Sequence, residues 1–177
     1  MLLGQQKPRE ALDAFSAALK LNTDVFEAHR GQGEAYQALG QVDRAVESYK
    51  RALALNGEDP VALNNLAWVL SESRKKPDEA LPLAQKAVQR APQSPEMLDT
   101  LGWVHYRRGA YAEAEKALAQ AAERAPNSGI VQFHLGMTYS KLGRRADAVS
   151  ALRRAAQLDP KLVQAERIDA LIKELGG

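Results

Sequence analysis

The sequence predicts an all-α protein, a solenoid of antiparallel helix pairs with about ten helices in a single domain spanning residues 1–177. Three observations carry that expectation. Alanine and leucine dominate while β-branched residues are thin, which favours helix over sheet. Small residues recur at a fixed interval, as Gly33, Ala67, Gly102 and Gly136. Within each interval the apolar residues follow helical spacing: Leu63, Leu66, Ala67 and Leu70 stand at i, i+3, i+4 and i+7, and Ala80, Ala84, Ala87 and Val88 form a second such face.

The interval of 34 or 35 residues extends to other columns. One alanine series runs Ala11, Ala45, Ala80, Ala114, Ala148, and another runs Ala18, Ala52, Ala87, Ala121, Ala155. Helix stops fall in phase at Pro92, Pro126 and Pro160, with Thr23 and Gly57 in the equivalent earlier places. Glycines at Gly40, Gly109 and Gly143 mark the turn inside a unit, where a first helix ends in a left-handed conformation. The only two tryptophans, Trp68 and Trp103, obey the same step, each directly after a small residue. A period of this length signals stacked supersecondary units.

Taken in order, residues 1–25 hold a partial repeat, because 7–21 matches a second helix whose partner is missing. Complete repeats follow at 26–59, 60–94, 95–128 and 129–162. The segment SESRKKPDE gives the repeat at 60–94 one extra residue. Residues 163–177 predict one capping helix, amphipathic through Ala165, Ile168, Ile172 and Leu175, to cover the last apolar face. The first helix carries Leu12, Phe15 and Leu19 with only Leu2 and Leu3 before it to hide them. The expectation is that the sequence is the carboxyl-terminal piece of a longer array; the alternative is a short protein whose open end is covered by self-association.

Composition narrows the function classes. With 45% hydrophobic and 26% charged residues the chain has the make-up of a folded protein. A net charge of +2, with no long basic block, argues against nucleic acid as a partner. Without cysteine there is neither a disulfide nor a thiolate site. No run approaches the roughly 18 apolar residues needed to cross a bilayer, so no membrane insertion is expected. The histidines, His29, His105 and His134, lie in different repeats without metal-ligand spacing. There is no nucleophile elbow, phosphate-binding glycine loop or HExxH motif. No enzyme activity, cofactor or metal is predicted.

The repeat pattern resembles the tetratricopeptide repeat, whose signature pairs a small residue and a tyrosine on one helix with alanine and a large residue on the next. The matching residues are Leu101-Gly102, Ala114, Leu118 and Pro126 in one repeat, with His105 in the tyrosine place, and Leu135-Gly136, Tyr139, Ala148, Leu152 and Pro160 in the next. Gly33, Tyr36, Ala45 and Tyr49 match in the second. His29 and Gln132 depart from the large apolar residue that the family prefers. The resemblance covers essentially the whole chain and implies a right-handed superhelix whose first helices line a concave channel.

On that arrangement the residue after each small one faces the channel or its edge. The column is Glu34, Trp68, Trp103 and Met137. The implied groove has an aromatic and apolar centre of Trp68, Trp103, Tyr106, Phe133 and Met137. Arg30, Asn64, Asn65, Asp99, Arg107, His134 and Lys141 surround it. An apolar centre with a polar rim suits a peptide segment or helix of a partner protein. The same tryptophans could equally pack between neighbouring first helices, and the sequence leaves both readings open. A second function class, self-assembly through the uncovered first helix, also stays open.

NNLAW, DTLGW and FHLG together resemble bacterial arrays found at the carboxyl ends of envelope and exopolysaccharide-associated proteins. That resemblance implies a periplasmic or membrane-associated parent, with the cytoplasm as the alternative. A second subgroup clamps the terminal carboxylate of heat-shock chaperones. Of the matching places, Arg30, Glu34, Asn65, Glu96 and Thr100, only Asn65 fits, and the two glutamates would repel a carboxylate.

Overall fold

The computed structural model describes residues 7–176. Leu2 and Leu3, expected to cover the first helix, lie outside the described residues. The chain divides into two compact units, Met1–Ala91 and Pro92–Gly177. All eleven elements among the described residues are helices.

The first unit contains α1 (Pro8–Leu21), α2 (Phe26–Ala38), α3 (Val42–Leu55), α4 (Pro60–Glu72) and α5 (Pro77–Arg90). The pairs α2–α3 and α4–α5 are joined by connections of three and four residues, short enough to return the chain antiparallel. Gly40, at φ +71°, supplies the left-handed residue after α2. After α4 that role falls to Lys75, at φ 54°, and the extra residue foreseen in this repeat is absorbed in the same turn. Asp59 starts α4: its carboxylate accepts from the Val61 N–H, and Pro60 takes the first helical position, where an N–H would go unused.

The second unit contains α6 (Pro95–Arg107), α7 (Tyr111–Arg124), α8 (Gly129–Lys141), α9 (Arg145–Leu158), α10 (Pro160–Ala165) and α11 (Ile168–Glu174). Ser94 and Ser128 cap α6 and α8 by accepting from the Met97 and Val131 N–H groups. Gly109 and Gly143, at φ +78° and +76°, close α6 and α8.

The small column is explained by what faces it. A Cβ on Gly33 would stand 2.5 Å from the Tyr49 ring, one on Gly102 2.5 Å from Leu118 Cγ, and one on Gly136 2.7 Å from Leu152 Cγ. The repeat that carries Ala67 in place of glycine carries Ala84 in the column of Tyr49, Leu118 and Leu152. Helix pairs therefore keep close approach either by glycine against a large side chain or by alanine against alanine. Tyr49, Leu118 and Leu152 are fully buried, and each leucine contributes about 1.5–3 kcal/mol.

The carboxyl end differs from the single helix expected over 163–175. The chain forms α10, then places Arg167 in the left-handed region at φ 52°, and restarts as α11. Asp159 ends α9 and at once caps α10, accepting from the Lys161 N–H at 3.0 Å, so no two-residue junction separates them. The bend lets Ile168 reach full burial with Phe133, Leu152 and Ala155, with Leu162, Leu171, Ile172 and Leu175 around them. A straight helix would have traded that burial for one more turn of hydrogen bonds. Ala165, the first member of the expected apolar stripe, is the last residue of α10.

Candidate functional site

The side chains proposed for a groove divide between the two units. In the first, α2 lies beside α4. Arg30, half-buried on α2, donates from Nη1 to both carboxylate oxygens of Asp59 at 3.2 and 3.0 Å. That bond fastens α2 to the start of α4, and Asp59 is itself buried. Glu34, one turn on from Arg30, approaches its Nε at 3.8 Å. Burial pushes the Glu34 carboxyl up from its ordinary value, and the neighbouring Arg30 charge offsets part of that rise. Tyr49 donates to Gln37 Oε1 at 2.9 Å, and its phenol is driven well above the usual tyrosine range, chiefly by burial. The nearby Asn65 amide offsets part of that rise.

Asn64, Asn65 and Trp68 stand half-buried on α4. The Asn64 Nδ2 contacts Asn65 Oδ1 only at 3.5 Å. The Asn64 side-chain oxygen is buried and finds no hydrogen-bond partner among the described residues. A buried acceptor left unpaired costs about 1–3 kcal/mol.

In the second unit, α6 lies beside α8. Trp103 is 8% exposed. Its ring stacks on Tyr106 with centroids 4.5 Å apart and on His134 at 4.1 Å, and it meets Phe133 at 6.5 Å. His134 is buried and donates from Nδ1 to Asp99 Oδ1 at 2.8 Å. Phe133 is turned into the core with Leu152 and Ile168. The indole expected at the centre of a channel is thus occupied by its own neighbours. Surface remains at Tyr106, Arg107 and Met137, which are half-buried, and at Lys141, which is exposed.

Two residues that the sequence reading did not name among the groove residues stand beside Arg30 in the structure. Asp59 is legible as a helix cap before proline, but nothing in the sequence pairs it with Arg30. Glu34 shares the tryptophan column and becomes part of the same charged cluster. Among the described residues no group of three or more histidines and carboxylates could hold a metal ion, and no helix is long and apolar enough to cross a membrane.

Short helix pairs returning at one interval, with glycine-against-leucine contacts inside the pair, define a helical-repeat protein. The chain belongs to the tetratricopeptide-repeat family: one family model, Tetratricopeptide repeat, matches residues 2–60 and 31–95, and a second of the same description matches 72–132 and 105–175. Among characterised proteins it is 37% identical over 68 residues to TPR repeat-containing protein PA4667 of Pseudomonas aeruginosa, covering 38% of this chain and 12% of that protein. It is 31% identical over 115 residues to BBSome complex member BBS4 of Bos taurus, covering 64% of this chain and 21% of that one. The chain therefore spans only a small part of the length of these two relatives.

Among solved structures, PilW, described as a widely conserved type IV pilus biogenesis factor, aligns with a TM-score of 0.80 at 22% identity over 98% of this chain and 85% of its own. TTC0263, a thermophilic TPR protein of Thermus thermophilus, aligns with a TM-score of 0.76 at 21% identity, covering 98% and 93%. YrrB, described as a TPR protein with an unusual peptide-binding site, aligns with a TM-score of 0.71 at 24% identity, covering 96% and 87%. These likenesses establish the fold. Tetratricopeptide repeats generally form non-enzymatic scaffolds for protein–protein interaction.

Proposed function

We propose that this chain is a scaffold without catalytic activity that holds a peptide segment or helix of a partner protein against its first helices. The observation that supports the reading is the half-buried Trp68 on α4, an indole with surface still open beside the half-buried amides of Asn64 and Asn65. An apolar guest side chain would cover the exposed part of the indole, with the two amides bordering it. Arg30, Asn65 and Glu34 supply a polar border in the same unit. In the second unit Tyr106, Arg107, Met137 and Lys141 offer the accessible part of the corresponding face.

The test is a random-peptide phage selection on the immobilised protein, followed by fluorescence anisotropy with the selected peptide. N64A and W68A should each weaken binding at least about thirtyfold, the roughly 2 kcal/mol of a hot-spot contribution. Unchanged affinity in both variants would refute the proposed face.

Self-assembly is the second reading. Leu21, at the end of α1, is 91% exposed, and Leu12, Phe15 and Leu19 on the same helix are half-buried. Sedimentation velocity over a hundredfold concentration range decides it: a strictly monomeric boundary rejects self-assembly.

A further inference from the structure

The repeat at 26–59 differs from the next one at four equivalent places, three on α2 and one on α3, and at Tyr36 it is the one that keeps the family tyrosine. Leu63, Leu66, Leu70 and Leu83 in the later repeat are replaced by His29, Gln32, Tyr36 and Ser48. Three of those leucines are buried core residues. Their polar counterparts instead line an open cavity of about 590 Å³ between α2 and α3, shared with Arg44, Glu47, Lys50 and Arg51 of α3. This volume suits a small molecule.

The lining is held in place. His29 Nε2 donates to the Thr23 carbonyl at 2.9 Å, and Gln32 Nε2 donates to Ser16 Oγ at 3.0 Å. Arg44 donates to Gln41 Oε1 at 3.0 Å, and its guanidinium lies 5.7 Å from the centre of the Tyr36 ring. Arg51 shares its charge with Asp24 at the rim, at 3.4 Å.

The order of charges along α3 constrains what fits. Arg44, Glu47 and Arg51 fall at i, i+3 and i+7 on one stripe with Lys50 beside Arg51, so one cation and a pair of cations start about 10 Å apart with a carboxylate between them. Guanidinium forks match phosphoryl and carboxylate groups. An anionic group midway would meet Glu47, whereas a hydroxyl there could donate to it. We propose that this cavity binds a small polyhydroxylated molecule with an anionic group at each end. The site lies on the α2–α3 face and is independent of the peptide-binding reading.

Isothermal titration at constant ionic strength tests it, with fructose 1,6-bisphosphate as the phosphoryl probe and glucarate as the carboxylate probe. Fructose 6-phosphate, charged at one end, is the control. Saturable binding of either two-ended probe, at least about tenfold tighter than the control, is expected, and whichever binds identifies the anionic group. R44Q and R51Q should each reduce it at least about tenfold. The triple variant H29L, Q32L and S48L, which restores leucine at three of the four places, should abolish it. The two arginines are exposed, so their variants decide the matter even if the triple variant fails to fold. Absence of saturation with both probes, equal affinity for the control, or binding retained in R44Q and R51Q would overturn the proposal.

Discussion

His134 and Asp99 form a buried hydrogen bond of 2.8 Å that ties α8 to α6, residues 35 positions apart joined at one point. The Trp103 ring lies against the same imidazole, so a polar and an aromatic contact fix one side chain. Removing the carboxylate leaves a buried ring nitrogen without its acceptor. D99A is expected to cost about 1–3 kcal/mol, and W103A about 3–5 kcal/mol, because truncation of a buried tryptophan leaves a cavity. Urea unfolding followed by circular dichroism measures both. A loss below about 1 kcal/mol in W103A would mean that the indole does not stiffen the second unit.

The contact of Gly102 with Leu118 predicts an asymmetric response. G102A places a methyl carbon 2.5 Å from Leu118 Cγ and should destabilise by about 1–3 kcal/mol. The double variant G102A, L118A reproduces the alanine pairing of Ala67 and Ala84. It should lose less than the two single losses added together, since the overlap disappears. Strict additivity in a double-mutant cycle would contradict the close-approach account.

Lys75 occupies a left-handed position that glycine takes at Gly40, Gly109 and Gly143. A side chain there costs roughly 1–2 kcal/mol. K75G should raise the thermal midpoint by an amount equivalent to about 1 kcal/mol, less the entropy that glycine adds to the unfolded chain. G109A, the reverse exchange, should lower it. Differential scanning calorimetry of the two variants checks the opposite signs.

Burial holds the His105 imidazole below its ordinary value, opposed in part by Glu113 and reinforced by Arg108. Its Nδ1 is buried without a hydrogen-bond partner among the described residues. The unfolded chain therefore takes up the proton first, and stability falls as pH drops below about 6.5. His105 stands in the column of Leu70, so H105L is expected to flatten this decline and to gain most against the parent near pH 5. Parallel pH profiles of the thermal midpoint would disprove the assignment.

Much of this was legible in the sequence. The columns through Ala45, Gly102 and Leu118 report steric demands between two helices of one pair, and such local contacts repeat with the chain. The turn glycines at Gly40, Gly109 and Gly143 announce a backbone conformation that other residues resist. The accessible face was legible only in part. The column holding Trp68 and Trp103 was visible, but a column says which side a residue leaves the helix and nothing about what meets it there.

By itself, the sequence determined the all-α repeat architecture, because its period, capping residues and small-against-large pairing act within a few turns of helix. Tertiary structure alone decided that Trp103 is covered by Tyr106 and His134, that Arg30 is fastened to Asp59, and that the chain bends at Arg167 to bury Ile168. Those outcomes depend on which side chains of separate helices compete for the same space and the same hydrogen bonds. That competition is settled only once the helices are packed.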